Sequence, residues 1–279
     1  MLLSFTKMHG LGNDFLVFDA ATDADIPPAE VFRRLGHRRT GIGFDQALVL
    51  MPPRVVGTDV YYRIFNCDGS EVEQCGNGAR CIASLMAQKL GKRDRVNMDS
   101  TGGRVDALLN GDGTVSVSFG IPNFLPASLP FDAAHEANLY SLQVGEGASI
   151  RTIEIGAVSM GNPHAVWRVP SVADAPVDSV GPLVENHARF PNRVNAGFME
   201  VVTRTHIRLR VWERGVGETL ACGTGTCAAV AVGRKLGWLD DTVQVDLSGG
   251  RASVRWAGAG KDIWLTGPAV KVFTGQVEI

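Results

Sequence analysis

The phrase Cys-Gly-x-Gly is written twice in this chain, as Cys75-Gly76-Asn77-Gly78 and as Cys222-Gly223-Thr224-Gly225, at an offset of 147 residues. The match is one of a series. At the same offset Ile64-Phe65-Asn66 lies over Val211-Trp212-Glu213, Glu71 over Glu218, Gly102-Gly103-Arg104 over Gly249-Gly250-Arg251, and Gly120 over Gly267. Leu90-Gly91 matches Leu236-Gly237 after a one-residue deletion. Earlier in each half, Gly12-Asn13-Asp14-Phe15 aligns with Gly161-Asn162-Pro163-His164, and residues 39–44 can be laid over 193–198. Landmarks in one order along two halves indicate a duplicated domain, and so long a period excludes a solenoid.

Alternating segments at Val115–Phe119, His206–Trp212 and Ile263–Leu265 predict strands. Each Cys-Gly phrase leads into a predicted helix. The first covers residues 79–90, with Ile82, Leu85, Met86 and Leu90 among small residues and Gly91 as its stop. The second covers residues 226–236, richer still in Ala and Val, and stops at Gly237. Helices apolar on most sides must be covered by sheet. The expected fold is therefore α+β, with two pseudo-symmetric domains, each a bent mixed β-sheet wrapped around a central helix. Pro and turn residues cluster at Pro122–Pro126 and set the junction. The first domain is expected at 1–122 with Cys75, and the second at 123–268 with Cys222. The segment 269–279 has strand character that allows it to return to the first domain.

At 279 residues the chain is long enough for two domains of roughly 150 residues each. A net charge of −2 supplies no basic field, so neither nucleic acid nor an anionic membrane is expected as a partner. The N-terminal stretch has no basic region followed by a long apolar one, and no run reaches the length of a membrane span. A cytoplasmic protein is expected. The five cysteines, at 67, 75, 81, 222 and 227, are odd in number and lack paired CxxC spacing. That argues against a disulfide scaffold and against a structural metal site, and leaves reduced thiols.

Glycines after a cysteine at a helix start leave backbone N–H groups open to an anion. The same terminus is expected to lower the thiol pKa below its free value of about 8.5. Two thiols from matching halves suit inversion of a stereocentre: one sulfur removes an α-proton from one face and the other delivers a proton to the opposite face. There is no P-loop, no Rossmann glycine signature and no lysine singled out for a Schiff base, so no cofactor is expected.

His9 to Phe15, Asn66 to Cys81, Gly161 to His164, Asn192 to Phe198 and Glu213 to Cys227 together closely resemble the diaminopimelate epimerase family, in the right order over both halves. The resemblance implies interconversion of LL- and meso-diaminopimelate, in lysine and peptidoglycan precursor biosynthesis, by a metal-free mechanism independent of pyridoxal phosphate. It also implies a homodimer. Carried over by position, Cys75 and Cys222 are the acid/base pair, assisted by His164 and Glu213. Asn13, Gln46, Asn66, Asn162, Asn195 and Arg214 would hold the substrate, chiefly its distal end. Gly76, Asn77, Gly223 and Thr224 would grip the reacting end. Thr224 stands where Ser is expected in many members, and keeps the hydroxyl.

Free cysteine is usually a small core residue. That reading is kept for Cys81 and Cys227 inside the helices, and favoured for Cys67. Of the acidic pair Glu71 and Glu73, only Glu71 is given a structural role. Gly102-Gly103 and Gly249-Gly250 read as hairpin turns. Gln74 and Cys67 fall at variable positions. Two other functions fit a paired-thiol chain: a cofactor-independent racemase of the proline or hydroxyproline type, and a non-catalytic thiol redox or binding protein.

Overall fold

The computed structural model describes residues 2–73, 75–92, 94–145, 147 and 150–279. Gln74, read above as variable, lies outside them. The chain divides into two compact units, Met1–Ser118 with Thr266–Ile279, and Phe119–Leu265. Among the described residues no helix is long and apolar enough to cross a membrane.

In the first unit the strands are β1 (Leu2–Gly10), β2 (Asn13–Asp19), β3 (Gln46–Met51), β4 (Val60–Asn66), β5 (Glu71–Val72), β6 (Arg95–Ser100), β7 (Gly103–Leu109) and β8 (Val115–Ser118). The pairs β1–β2, β3–β4, β6–β7 and β7–β8 are antiparallel, whereas β2–β3 and β4–β6 are parallel. The last strand of the chain, Val270–Glu278, pairs with β1, and β5 lies along the end of β4. Two helices cover the sheet, α1 (Ala29–Gly36) and α2 (Gly76–Leu90). α2 packs against β1, β6, β7 and β8. α1 adds Phe32 and Leu35 to a core with Phe18, Val49 and Phe65, and the Phe32 and Phe65 rings stack 5.0 Å apart. With both faces covered, β3 is an unbroken buried run from Ala47 to Met51 rather than an alternating one.

The second unit repeats this plan. Its strands are β9 (Tyr140–Val144), β10 (Arg151–Ser159), β11 (Pro163–Arg168), β12 (Asn195–Thr203), β13 (His206–Glu213), β14 (Gly217–Thr219), β15 (Thr242–Leu247) and β16 (Gly250–Trp256), with α3 (Val177–Glu185) and α4 (Gly223–Lys235). Again β11–β12 and β13–β15 are parallel, and β9–β10, β10–β11, β12–β13 and β15–β16 are antiparallel. Every residue of α4 from Gly225 to Gly233 is buried. β10 approaches it so closely that a Cβ on Gly156 would sit 2.3 Å from Val232 Cγ1.

Both helices begin three residues before the starts read from apolar periodicity, because their first turns are built of Gly, Asn and Thr and carry no apolar signal. The strand register also revises one alignment. Phe15 pairs with Gln46 and Gln46 with Asn66, while His164 pairs with Asn195 and Ala196 with Trp212. Gln46 therefore corresponds to Asn195, residues 39–44 do not overlie 193–198, and the Gly-Phe those segments share is coincidental. The duplication instead carries an ion pair. Arg63 grips Glu71 through Nε and Nη2 at 2.7 and 2.6 Å, and Arg210 grips Glu218 through the same atoms at 2.6 and 2.7 Å. In each half this fork ties the short strand ahead of the cysteine to its neighbour. Glu71 has the structural role read for it. Cys67 is a correction: it is exposed, on the turn between β4 and β5, whereas Cys81 and Cys227 are fully buried in the helices.

Candidate active site

Cys75 is the N-cap of α2, in extended backbone conformation, and its sulfur accepts a hydrogen bond from Gly78 N at 3.4 Å. A cap bond from the third helical residue leaves the N–H groups of Gly76 and Asn77 without an intrahelical acceptor, aimed outward at the helix terminus. Beneath them runs a chain of polar side chains with a cation at one end and an anion at the other. Arg80 Nη2 donates to Asn77 Oδ1 at 2.5 Å, Asn77 Nδ2 to Asn13 Oδ1 at 2.7 Å, and Asn13 Nδ2 to Asp45 Oδ2 at 3.2 Å. The charged ends fix which way each carboxamide points. Asp45 also receives Arg38, which grips Asp14 beside Lys7. Burial alone would raise the Asp14 carboxyl, but Arg38 and Lys7 hold it at about 2. At the ends of β3 and β4, Gln46 Nε2 donates to Asn66 Oδ1 at 3.1 Å. Gln46 Oε1 is buried without a partner, an acceptor suited to an N–H of a bound molecule.

Cys222 caps α4 in the same way, with Gly225 N donating to its sulfur at 3.3 Å. Thr224 Oγ1 lies 3.5 Å from that sulfur and accepts from Asn162 Nδ2 at 3.3 Å. Asn162 Oδ1 in turn meets His164 Nε2 at 3.0 Å. The carbonyl oxygen there assigns the imidazole proton to Nε2, and the direction of donation then runs from His164 through Asn162 to Thr224, whose hydroxyl keeps a proton it can offer to a thiolate. Burial, reinforced by the Arg214 charge, holds the His164 pKa down at about 3, so the ring is neutral at neutral pH. It reaches Cys222 through two side chains.

The expected lowering of the thiol pKa does not hold at Cys222. Burial and then the Glu213 carboxylate drive it up, and they outweigh the opposing hydrogen bonds from Thr224 and Gly225 N. Cys222 is only 5% exposed, so the energy of removing a thiolate from water exceeds what the helix terminus returns. At rest Cys222 is a thiol. Glu213 is held by a short hydrogen bond from Thr219 Oγ1. Arg214 is exposed, with Nη1 donating to Asn192 O at 3.0 Å. Asn195 is buried: its Oδ1 accepts from Arg214 N and its Nδ2 donates to Pro163 O, both at 2.9 Å, which leaves one amide hydrogen.

The structure thus brings Asn13, Gly76 and Asn77 together at the Cys75 terminus and sets Gln46 beside Asn66 at the ends of β3 and β4. It brings Asn162, His164, Glu213, Gly223 and Thr224 to the Cys222 terminus, with Asn195 paired to His164 and joined to Arg214. Arg80, Asp45 and Thr219 were missed. The signal that could have found Arg80, which is fully buried, is a charged residue inside an apolar helix; nothing in the local sequence marks the other two. Among the described residues no three His, Cys, Asp or Glu side chains are grouped to hold a metal ion.

The sequence model of the family described as diaminopimelate epimerase matches residues 5–125 and 156–272. The chain is 53% identical to a diaminopimelate epimerase of Stutzerimonas stutzeri and 51% identical to one of Pseudomonas aeruginosa, over the full length of each pair. Among solved structures it resembles a hydroxyproline epimerase of Agrobacterium vitis with bound trans-4-hydroxy-L-proline (TM-score 0.69, 15% identity, 99% of this chain and 92% of that one). It also resembles a predicted epimerase of Pseudomonas aeruginosa (TM-score 0.66, 16% identity, 99% of each chain). At those identities the likeness is one of fold.

Proposed function

The chain belongs to the diaminopimelate epimerase family, and from that premise we propose that it interconverts LL- and meso-diaminopimelate by passing protons through Cys75 and Cys222. One observation carries the assignment of the thiols: in each half the cysteine caps a helix and takes the third N–H of that helix on its sulfur, at 3.4 and 3.3 Å.

In this reading one cysteine, as thiolate, forms an S–H bond with the α-hydrogen as the C–H pair moves onto carbon. The other, as thiol, delivers its proton to the opposite face. Each turnover leaves the two sulfurs with exchanged protonation, ready for the reverse reaction. The N–H groups of Gly76, Asn77, Gly223 and Thr224 stabilise charge developing on the α-carboxylate, as donors already in place do without reorganisation. Glu213 favours the protonated form of Cys222, whereas Thr224 and Gly225 N favour its thiolate, so the sulfur has partners in both states. His164, neutral and buried, acts by orienting Asn162. Asn13, Gln46, Asn66, Asn162, Asn195 and Arg214 serve the substrate's distal amino-acid end, where the exposed guanidinium of Arg214 suits a carboxylate.

The domain roles follow the same reading, with one acid/base group in each. The reading includes a cytoplasmic enzyme that acts as a homodimer and needs no cofactor; sedimentation of the purified protein tests its assembly. Assays on LL-diaminopimelate and on proline test the substrate. Turnover of diaminopimelate alone is expected, and turnover of proline alone would reassign the chain to the proline type of racemase.

A further inference from the structure

We propose that Glu185 is a positioning residue for the substrate grip of the second unit, its buried carboxylate fixing the turn that carries Glu213 and Arg214. The proposal rests on the reading of Arg214 as a substrate anchor.

Glu185 is the last residue of α3 and is 6% exposed. Its Oε2 accepts from Trp212 Nε1 at 2.7 Å, and its Oε1 from Gly215 N at 2.8 Å and from Arg193 Nη1 at 3.3 Å. These contacts bracket Glu213 and Arg214: Trp212 precedes them and Gly215 follows. Val216 N closes the turn on Glu213 O at 3.1 Å, with Gly215 at φ +76°, a conformation that favours glycine. The Arg214 N–H is held by Asn195. The peptide N–H groups on both sides of the Arg214 α-carbon are thus tied to side chains from outside the turn. Arg214 itself is exposed, so its long side chain starts from a fixed root.

The matching turn of the first unit, beginning at Asn66, has its Cys67 N–H held by the main-chain oxygen of Asp45 at 3.1 Å and is closed by Gly69 N on Asn66 O. It carries no arginine. Burying a carboxylate is costly unless its oxygens are satisfied, and here three donors satisfy them. Fixing the root of a flexible cation lowers the ordering cost when it binds an anion.

The test is a double-mutant cycle on the full-length enzyme, reading KM and kcat for LL-diaminopimelate together with thermal unfolding. Glu185→Gln keeps the shape but turns an amide N–H either toward Trp212 Nε1 or toward Gly215 N and Arg193 Nη1. It is expected to raise KM about tenfold with a smaller effect on kcat. In an Arg214→Ala background the same change should raise KM less than about twofold, because the group it positions is gone. Should Glu185→Gln not fold, Trp212→Phe removes one donor and keeps a smaller aromatic ring; its expected rise of about threefold should likewise vanish beside Arg214→Ala. An equal effect in both backgrounds, or none in the native one, overturns the proposal while a raised KM in Arg214→Ala leaves the anchor reading standing. A native KM in Arg214→Ala overturns both.

Discussion

The Thr224 hydroxyl oxygen lies 3.5 Å from the Cys222 sulfur while accepting from Asn162 at 3.3 Å, within reach to donate to the sulfur once it is a thiolate. A hydrogen bond to a charged acceptor contributes about 1.5–3 kcal/mol. Thr224→Val, which keeps the shape and loses the hydroxyl, is therefore expected to lower kcat by about 10- to 100-fold, and Thr224→Ser by less than about threefold. Steady-state rates check this. Equal rates for the Val and Ser variants would remove Thr224 from the thiolate's support.

Glu213 raises the Cys222 pKa, second to burial. Removing its charge must move the thiol titration to lower pH. Glu213→Gln should show alkylation of Cys222, followed peptide by peptide with pH, beginning at a more acidic pH than in the native chain. An unshifted or more alkaline curve would contradict the electrostatic role.

His164 supplies a stability prediction with a definite sign. Its folded pKa is about 3 against an ordinary value of 6.5, so the denatured chain takes up a proton that the native chain does not. That contribution to stability is complete above the ordinary value and is lost as the pH falls from 6.5 through 3. Urea midpoints measured across this window should fall less steeply in His164→Gln than in the native protein. Parallel slopes would mean that the ring is not buried and neutral.

The approach of β10 to α4 leaves no room for a methyl group. Gly156→Ala would drive a Cβ to 2.3 Å from Val232. Overpacking of this kind costs about 1–3 kcal/mol, so the urea midpoint should fall, and activity with it if the Cys222 helix shifts. A native midpoint would show slack between strand and helix.

Much of this architecture is legible in the sequence, and the failures have physical causes. Two copies of one phrase, each leading into an apolar helix, sufficed for the α+β fold of two like halves. The helix starts at Gly76 and Gly223 were read late because capping turns are written in Gly, Asn and Thr, outside any apolar period. The overlay of residues 39–44 on 193–198 failed because a shared Gly-Phe outweighed the strand register, which only pairing reveals. The lowered thiol pKa expected at Cys222 failed because a motif reports the helix terminus but not the depth of burial. Asp45 and Glu185 went unseen since each acts on groups far from it in sequence, Asp45 on Asn13 and Glu185 on Trp212 and Gly215.

The central claim is that two monoprotic sulfurs divide one inversion between them. The most direct measurement is the fate of the α-proton when pure LL-diaminopimelate is turned over in deuterium oxide and sampled before equilibrium. The inverted centre of the meso product should carry deuterium from the first turnover, while recovered LL substrate remains protonated. Inverted product that retains the original proton would contradict the account.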